Sequence, residues 1–371
     1  MNESGEVIQQ QKWTVWLLRA MLLLLVLFAF LVALELMGNA FRLLGKDLAH
    51  QIIQATSNPF VGLFIGLLST AIIQSSSVTT SMVVAIVATG SLSLESAVPV
   101  IMGANIGTTI TSAIVSIGYI MDEKELRRAF AAATVHSLFN LLSTLILFPL
   151  EYYFKLLSGF ARLVASRFSG PSTVSFNFFQ ITVRPVTDLL ASWLNHKESL
   201  LLGLSAILLI VSIRYFSALL KEILIDDSQR HLEKIVFDQP VKALLFGVAL
   251  TASVRSSAVT TSLVVPLVAL DRISIKKAFP FVMGANIGTT ITALLAAISR
   301  SDAALSIALV HVLFNVIGVL IFFPFPAIRN IPVRLAKGLS NLAAENRLVG
   351  FAYILLTFFL IPFLLIYITG K

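Results

Sequence analysis

The chain contains no cysteine, so disulfide cross-links and thiolate metal sites are excluded, while the redox compartment stays undetermined. Charge is scarce as well. Asp, Glu, Lys and Arg make up 12% of 371 residues against 57% hydrophobic ones, too apolar a balance for a soluble domain of this length. An integral membrane protein is expected. Also missing are a Ser-His-Asp order, paired carboxylates and a phosphate-binding Gly-Lys-Ser loop, so nothing points to a hydrolase, an ATPase or another enzyme. The net charge of +8 fits a nucleic-acid binder at first sight. The basic residues, however, fall in short inter-helix segments such as Lys124 to Arg128, Arg272 to Lys277 and Arg329 to Arg347, where they bear on membrane topology instead.

Seven apolar segments are each long enough to cross ~30 Å of hydrocarbon at about 1.5 Å per residue. They are Thr14 to Met37, Val98 to Ile120, Ala129 to Leu150, Leu200 to Leu220, Phe279 to Ile298, Ala303 to Phe325 and Leu348 to Ile368. The first carries Arg19 and lacks a small-residue cleavage site, so it is expected to be a retained helix rather than a removed signal peptide.

What the chain does have is a duplication. The ten residues Met102 to Thr111 recur letter for letter at Met283 to Thr292, an offset of 181. The copy extends backwards, aligning Gln74 to Ser81 with Arg255 to Ser262, and 23 of 38 positions from Gln74 to Thr111 match without a gap. The matched letters are largely Ser, Thr, Asn and Gly, and hydrocarbon tolerates such polar residues only for a reason. A polar ligand is therefore expected. Further on, His136-Ser-Leu-Phe-Asn140 reappears as His311-Val-Leu-Phe-Asn315. The division that follows is an N-terminal segment and first helix (1–50), repeat one (51–150), a connector with one transmembrane helix (151–239), repeat two (240–325), and a C-terminal amphipathic segment with the last helix (326–371).

Within the repeats, Phe60 to Ile73, Val78 to Thr89, Ala243 to Val254 and Val259 to Leu270 are 12 to 14 residues long. As helices of about 18 to 21 Å they are too short to span singly. Each pair suggests a re-entrant hairpin whose serine-rich tip is tolerated only in a protein-lined or watery cavity. Interrupted segments at matching places in two halves point to a transporter binding site. The alternative is one long helix whose hydroxyls bond back to its own carbonyls.

Gln74 and Ser75, Ser76 and Ser77 offer an amide and three hydroxyls, and Arg255, Ser256 and Ser257 a guanidinium and two hydroxyls. Beside the start of a short helix, such a set cradles an anion. Hydroxyl and amide oxygens also ligate a small hard cation. Asn105 and Asn286 supply an amide oxygen, and Thr289 and Thr292 share a helix face. The glycines around each Asn favour a local helix break that turns carbonyls inward, or else simply let helices pack closely. Gln74 has a carbonyl to offer a cation, whereas its counterpart Arg255 would repel one. Arg255 thus serves the anion or stands in for an ion, unless it pairs with an acid such as Asp271 or snorkels to an interface. His136 and His311 are expected to be packing residues.

These ordered motifs resemble the type II sodium-dependent phosphate cotransporters, whose hallmark is Gln-Ser-Ser-Ser in each of two inverted repeats. The resemblance runs through Gln74 to Ser77, both Gly-Ala-Asn-Ile-Gly-Thr-Thr elements, Arg127 to His136 and Pro332 to Leu339. It implies an all-α membrane protein with two inverted-topology repeats, each with a re-entrant helical hairpin and a broken motif helix. It also implies inward cotransport of inorganic phosphate with sodium as the coupling ion and no further cofactor. Carried over by motif position, Ser75, Ser76, Ser77, Ser256 and Ser257 resemble phosphate-site residues, and Gln74, Asn105, Thr289 and Thr292 sodium-site residues. Arg255 replaces the second motif Gln, Ala258 the last Ser, and Ala285 a Ser, so a sodium at Ala285 would use its backbone carbonyl. The short connector and the lack of disulfides suggest a bacterial inner-membrane form. The rival readings are a sodium-coupled carrier of another oxyanion or carboxylate, and a non-transporting channel or scaffold.

Overall fold

A computed structural model describes residues 58–168, 182–225, 236–297 and 301–369, with further helical residues between 18 and 40. Parts of the expected span Thr14 to Met37 and of the expected connector 151–239, including 169–181 and 226–235, lie outside the described residues. Among the described residues every regular element is helical. Copy one comprises α1 (Pro59–Ile73), α2 (Ser76–Ala88), α3 (Leu94–Gly107), α4 (Ile110–Ile117) and α5 (Glu123–Phe154). After α6 (Leu156–Phe168), α7 (Arg184–Trp193) and α8 (Glu198–Ile225), copy two follows as α9 (Pro240–Val254), α10 (Ser257–Ala269), α11 (Ile275–Ala297) and α12 (Asp302–Phe322). The chain closes with α13 (Pro326–Glu345), α14 (Arg347–Leu355), a π turn at Leu356–Leu360, and α15 (Ile361–Thr369).

Local chemistry sets the boundaries. Proline opens both α1 and α9, where its missing N–H costs nothing. Asp122 opens α5 by accepting the N–H groups of Lys124 and Glu125 at 2.8 and 2.9 Å, and Glu123 and Glu125 add negative charge to the positive helix end. Among the described residues five segments are long and apolar enough to cross a bilayer: Leu94–Ile117, Glu123–Phe154, Ile275–Ala297, Asp302–Phe322 and Arg347–Ile368. They coincide within a few residues with five of the segments expected from the sequence. The central windows of Leu94–Ile117 and Ile275–Ala297 are 78% buried, but that of Arg347–Ile368 only 17%. The two motif helices are therefore the interior of the bundle and the last span is its periphery.

The glycines explain why. A Cβ added at Gly103 would lie 1.8 Å from the Leu63 carbonyl oxygen, and one at Gly284 would lie 2.0 Å from that of Leu244. Gly66 meets Val100 and Gly247 meets Phe281 in the same way, as do Gly107 with Leu67 and Gly288 with Val248. Every one of these contacts recurs 181 residues later. The glycines let α3 lie on α1, and α11 on α9, backbone against backbone.

This corrects one expectation. The motif glycines do not break their helix: α11 runs without interruption through Gly284 and Gly288. In copy one the interruption falls after them, at Thr108 and Thr109, where both residues keep right-handed helical angles and Thr109 bonds back to Ile106 in a tightened turn. A glycine pressed against a neighbouring backbone is held in its helix, not freed from it.

The copies exchange partners. The short helix α2 packs on α11 and α12, while α10 packs on α4 and α5; α5 also lies along α11, and α12 along α3. Phe139 of α5 is wedged edge-on between Phe279 and Phe322 of copy two. The amphipathic α13 covers α5 with Val333, Ala336, Ser340 and Ala343 and leaves Arg334 and Lys337 outside.

Candidate functional site

Both serine-rich stretches interrupt the chain in the same way. Gln74 takes φ 55°, ψ 31° and Ser75 φ −151°, ψ 102°; Arg255 takes φ 57°, ψ 27° and Ser256 φ −147°, ψ 104°. In each case a left-handed residue ends one helix, its N–H bonding back to Thr70 or Thr251. An extended serine then starts the next helix by accepting the N–H of Val78 or Val259. A left-handed conformation at a residue other than glycine is uncommon and stores strain, and such residues gather at functional sites. Here two occur at equivalent positions.

The two breaks touch. Ser77, in the first turn of α2, donates its hydroxyl to the backbone carbonyl of Arg255 at 2.9 Å. Ser76, Ser77, Arg255 and Ser257 are all buried, Ser75 and Ser256 half-buried, and Gln74 exposed. Equivalent backbone positions thus place an amide at the surface in one copy and a guanidinium in the interior in the other. Asp271, the acid considered for Arg255, pairs with Arg128 at 3.1 Å. The N-termini of α2 and α10 are brought to one place, and their partial positive ends add to the Arg255 charge.

Around the breaks, hydroxyls also bond back along their own helices: Thr79, Thr80, Thr260 and Thr261 donate to the carbonyls of Ser75, Ser76, Ser256 and Ser257. Back-bonding therefore describes the threonines, and a broken chain describes the serines that precede them. Thr261 also meets Ser112 of α4 at 3.0 Å, and Thr70 ties α1 to α2 through Thr79 at 2.9 Å. Sequence reasoning passed over Ser112 and Thr70. Ser112 directly follows the repeated decapeptide, and that position was the available signal.

The remaining candidates line the motif helices. Thr289 and Thr292 are buried, with hydroxyls donated to Ala285 and Thr289 carbonyls at 3.1 and 2.8 Å, which leaves their oxygens as neutral acceptors. Ala285 is fully buried on the same helix. Asn286 is gripped by copy one: its Oδ1 lies 2.7 Å from His136 Nε2, and its amide donates to Asn140 Oδ1. Asn105 donates to the Ile101 carbonyl of its own helix. His136, expected to be a packing residue, bonds the motif asparagine of the opposite copy.

A family described as Na+/Pi-cotransporter matches the chain over residues 29–166 and again over 208–344, once on each copy. The chain is 32% identical to a sheep protein named sodium-dependent phosphate transport protein 2A, over 97% of this chain and 69% of that protein. It is 33% identical to human sodium-dependent phosphate transport protein 2B, over 93% of this chain and 64% of its relative. The mouse 2A protein is 32% identical over 93% and 67%. The chain therefore spans about two thirds of the length of these relatives. No solved structure matches it.

Proposed function

Because the chain belongs to the Na+/Pi-cotransporter family, we propose that it carries inorganic phosphate into the cell together with sodium, by alternating access at a site between two inverted-topology copies. The observation that carries this reading is the bond from Ser77 to the Arg255 carbonyl, which brings two like-shaped chain breaks together at the buried N-termini of α2 and α10. Each break with its flanking helices forms a re-entrant hairpin, since α1 and α2, at 15 and 13 residues, reach only about 20 Å apiece.

In this reading Ser75, Ser76, Ser256 and Ser257 donate hydroxyl and backbone N–H bonds to the phosphate oxygens, Ser77, whose hydroxyl is given to the Arg255 carbonyl, donates its backbone N–H, and Arg255 supplies the charge. Sodium is held by neutral oxygens from Gln74, Asn105, Asn286, Thr289 and Thr292 and from the Ala285 carbonyl, as suits a weakly bound hard cation that must also leave. A divalent phosphate entering a cell with a negative interior costs about 4.6 kcal/mol at 100 mV, and each sodium returns about 2.3. Two sodium ions make the cycle electrically silent, whereas a third lets the membrane potential drive accumulation. The short connector between the copies and the absence of cysteine suit a bacterial plasma membrane.

Radiolabelled phosphate uptake into proteoliposomes tests the proposal. Uptake is expected with a sodium gradient, to vanish when choline replaces sodium, and to fall sharply in Ser76→Ala. Sodium-independent uptake would overturn it, and inhibition by sulfate or a carboxylate in place of arsenate would reassign the substrate.

A further inference from the structure

The two copies carry the same His-x-Leu-Phe-Asn element and the same motif asparagine, yet these side chains bond differently. In one set, His136 Nε2 meets Asn286 Oδ1 at 2.7 Å, the Asn286 amide donates to Asn140 Oδ1, and the Asn140 amide donates to the Asn105 carbonyl at 2.7 Å. With its nitrogen committed to Asn140, Asn286 must present oxygen to the imidazole, so His136 carries its proton on Nε2. The result is a clasp joining α5 of copy one to α11 of copy two. All four residues are buried.

The counterpart set is His311, Asn315 and Asn105, and there the clasp is not made. Asn315 donates to the His311 carbonyl at 2.9 Å and Asn105 to the Ile101 carbonyl at 2.8 Å, each within its own helix. Among the described residues neither ring nitrogen of His311 has a hydrogen-bond partner, nor does Asn315 Oδ1, although His311 is 0% and Asn315 1% exposed. A neutral imidazole always brings one donor and one acceptor, and buried groups of this kind are nearly always paired. Identical residues with opposite bonding mean that the difference is one of arrangement, not of composition.

We propose that the two sets are alternately closed latches of the transport step. The clasp of His136 and Asn140 on Asn286 holds the arrangement seen here. A clasp of His311 and Asn315 on Asn105, joining α12 to the neighbouring α3, holds the opposite-facing one. These four His and Asn residues of α5 and α12 are positioning residues: they fix which motif asparagine is tied to the other copy and which is released. Exchanging one satisfied set for an equivalent one keeps the two states close in free energy, which a carrier needs in order to cycle. The inference rests on the alternating-access reading.

The chain has no cysteine, so Ser253→Cys, at an exposed position beside the second break, introduces the one thiol. Its alkylation by a membrane-impermeant maleimide is followed in intact cells with and without sodium and phosphate. A labelling rate in the reporter protein that ignores both ions would overturn alternating access, and the latches with it. Given a responsive reporter, His136→Ala and His311→Ala are expected to shift the rate in opposite directions, each by about five-fold, as the loss of one hydrogen bond from one state sets. The double variant returns to within about two-fold of the reporter protein, and His136→Gln, which keeps a donor, retains most of its rate. Shifts of the same sign, no shift, or additive damage in the double variant would leave alternating access standing and overturn the latches. Asn140→Leu and Asn315→Leu repeat the comparison should an alanine variant fail to reach the membrane.

Discussion

Ser77 and Arg255 are 178 residues apart in sequence, and the hydroxyl of the first rests on the carbonyl of the second at 2.9 Å. The first turn of α2 is thereby registered against the break that precedes α10. Removing the donor in Ser77→Ala leaves a buried carbonyl without that bond, a loss of about 1 kcal/mol. A modest drop in thermal stability in detergent is expected, with a larger drop in phosphate uptake. Full uptake in this variant would show that the registration is dispensable.

Arg255 offers a sharper test of substrate chemistry. A buried guanidinium bonding an oxyanion is worth about 1.5–3 kcal/mol, so Arg255→Ala should raise the phosphate KM by about ten-fold or more while leaving the sodium KM nearly unchanged. Unaltered phosphate dependence would remove Arg255 from the site.

Arg255→Gln restores the residue type found at Gln74 and replaces a fixed charge with a carbonyl that can ligate a cation. If the guanidinium stands in for a coupling ion, the variant should move one more positive charge per phosphate than the parent protein. Phosphate-induced current in voltage-clamped membranes, compared with isotope flux, measures that ratio. An unchanged ratio would confine Arg255 to anion binding.

The glycine contacts predict a steep positional contrast. Gly103→Ala and Gly284→Ala place a methyl group about 2 Å from a backbone carbonyl that cannot rotate away, so each should cost at least the ~1–3 kcal/mol of an overpacked core. Among the described residues Gly159→Ala and Gly203→Ala meet nothing within 4 Å and should be neutral or slightly stabilising. The yield of monodisperse protein after extraction separates the two pairs.

Asp122 links helix α5 to pH. Its carboxylate accepts from Glu125 and Lys124 N–H groups, and the Glu125 bond chiefly holds its pKa below the ordinary aspartate value. Because the folded pKa lies below the unfolded one, the cap contributes fully above the unfolded value and is lost as pH falls through the folded one. Asp122→Ala should therefore be less stable than the parent protein at neutral pH, and the difference should shrink in acid. A difference that stayed constant into strong acid would contradict a charged cap.

Much of this was legible in the letters. The repeat at offset 181 and the interruptions at Gln74-Ser75 and Arg255-Ser256 were readable because serine after a short apolar run is a helix start signal. Five spans were readable because length and apolarity alone define them. The glycines misled: beside Asn and Thr they looked like helix breakers, but in an apolar bundle a small residue is first a place for another backbone to rest. The bond from Ser77 to Arg255 and the grip of His136 on Asn286 were not legible, because they depend on which copy faces which. His136 and His311 stand in near-identical sequence and bond differently, so no local pattern separates them.

Glycine seats at three successive levels weld α1 to α3, and three more weld α9 to α11. Two such plates resist sliding along their own seams, so any rearrangement of the protein has to open somewhere else. Gln74 then travels with Asn105, and Arg255 with Asn286, as cargo bolted to a common deck.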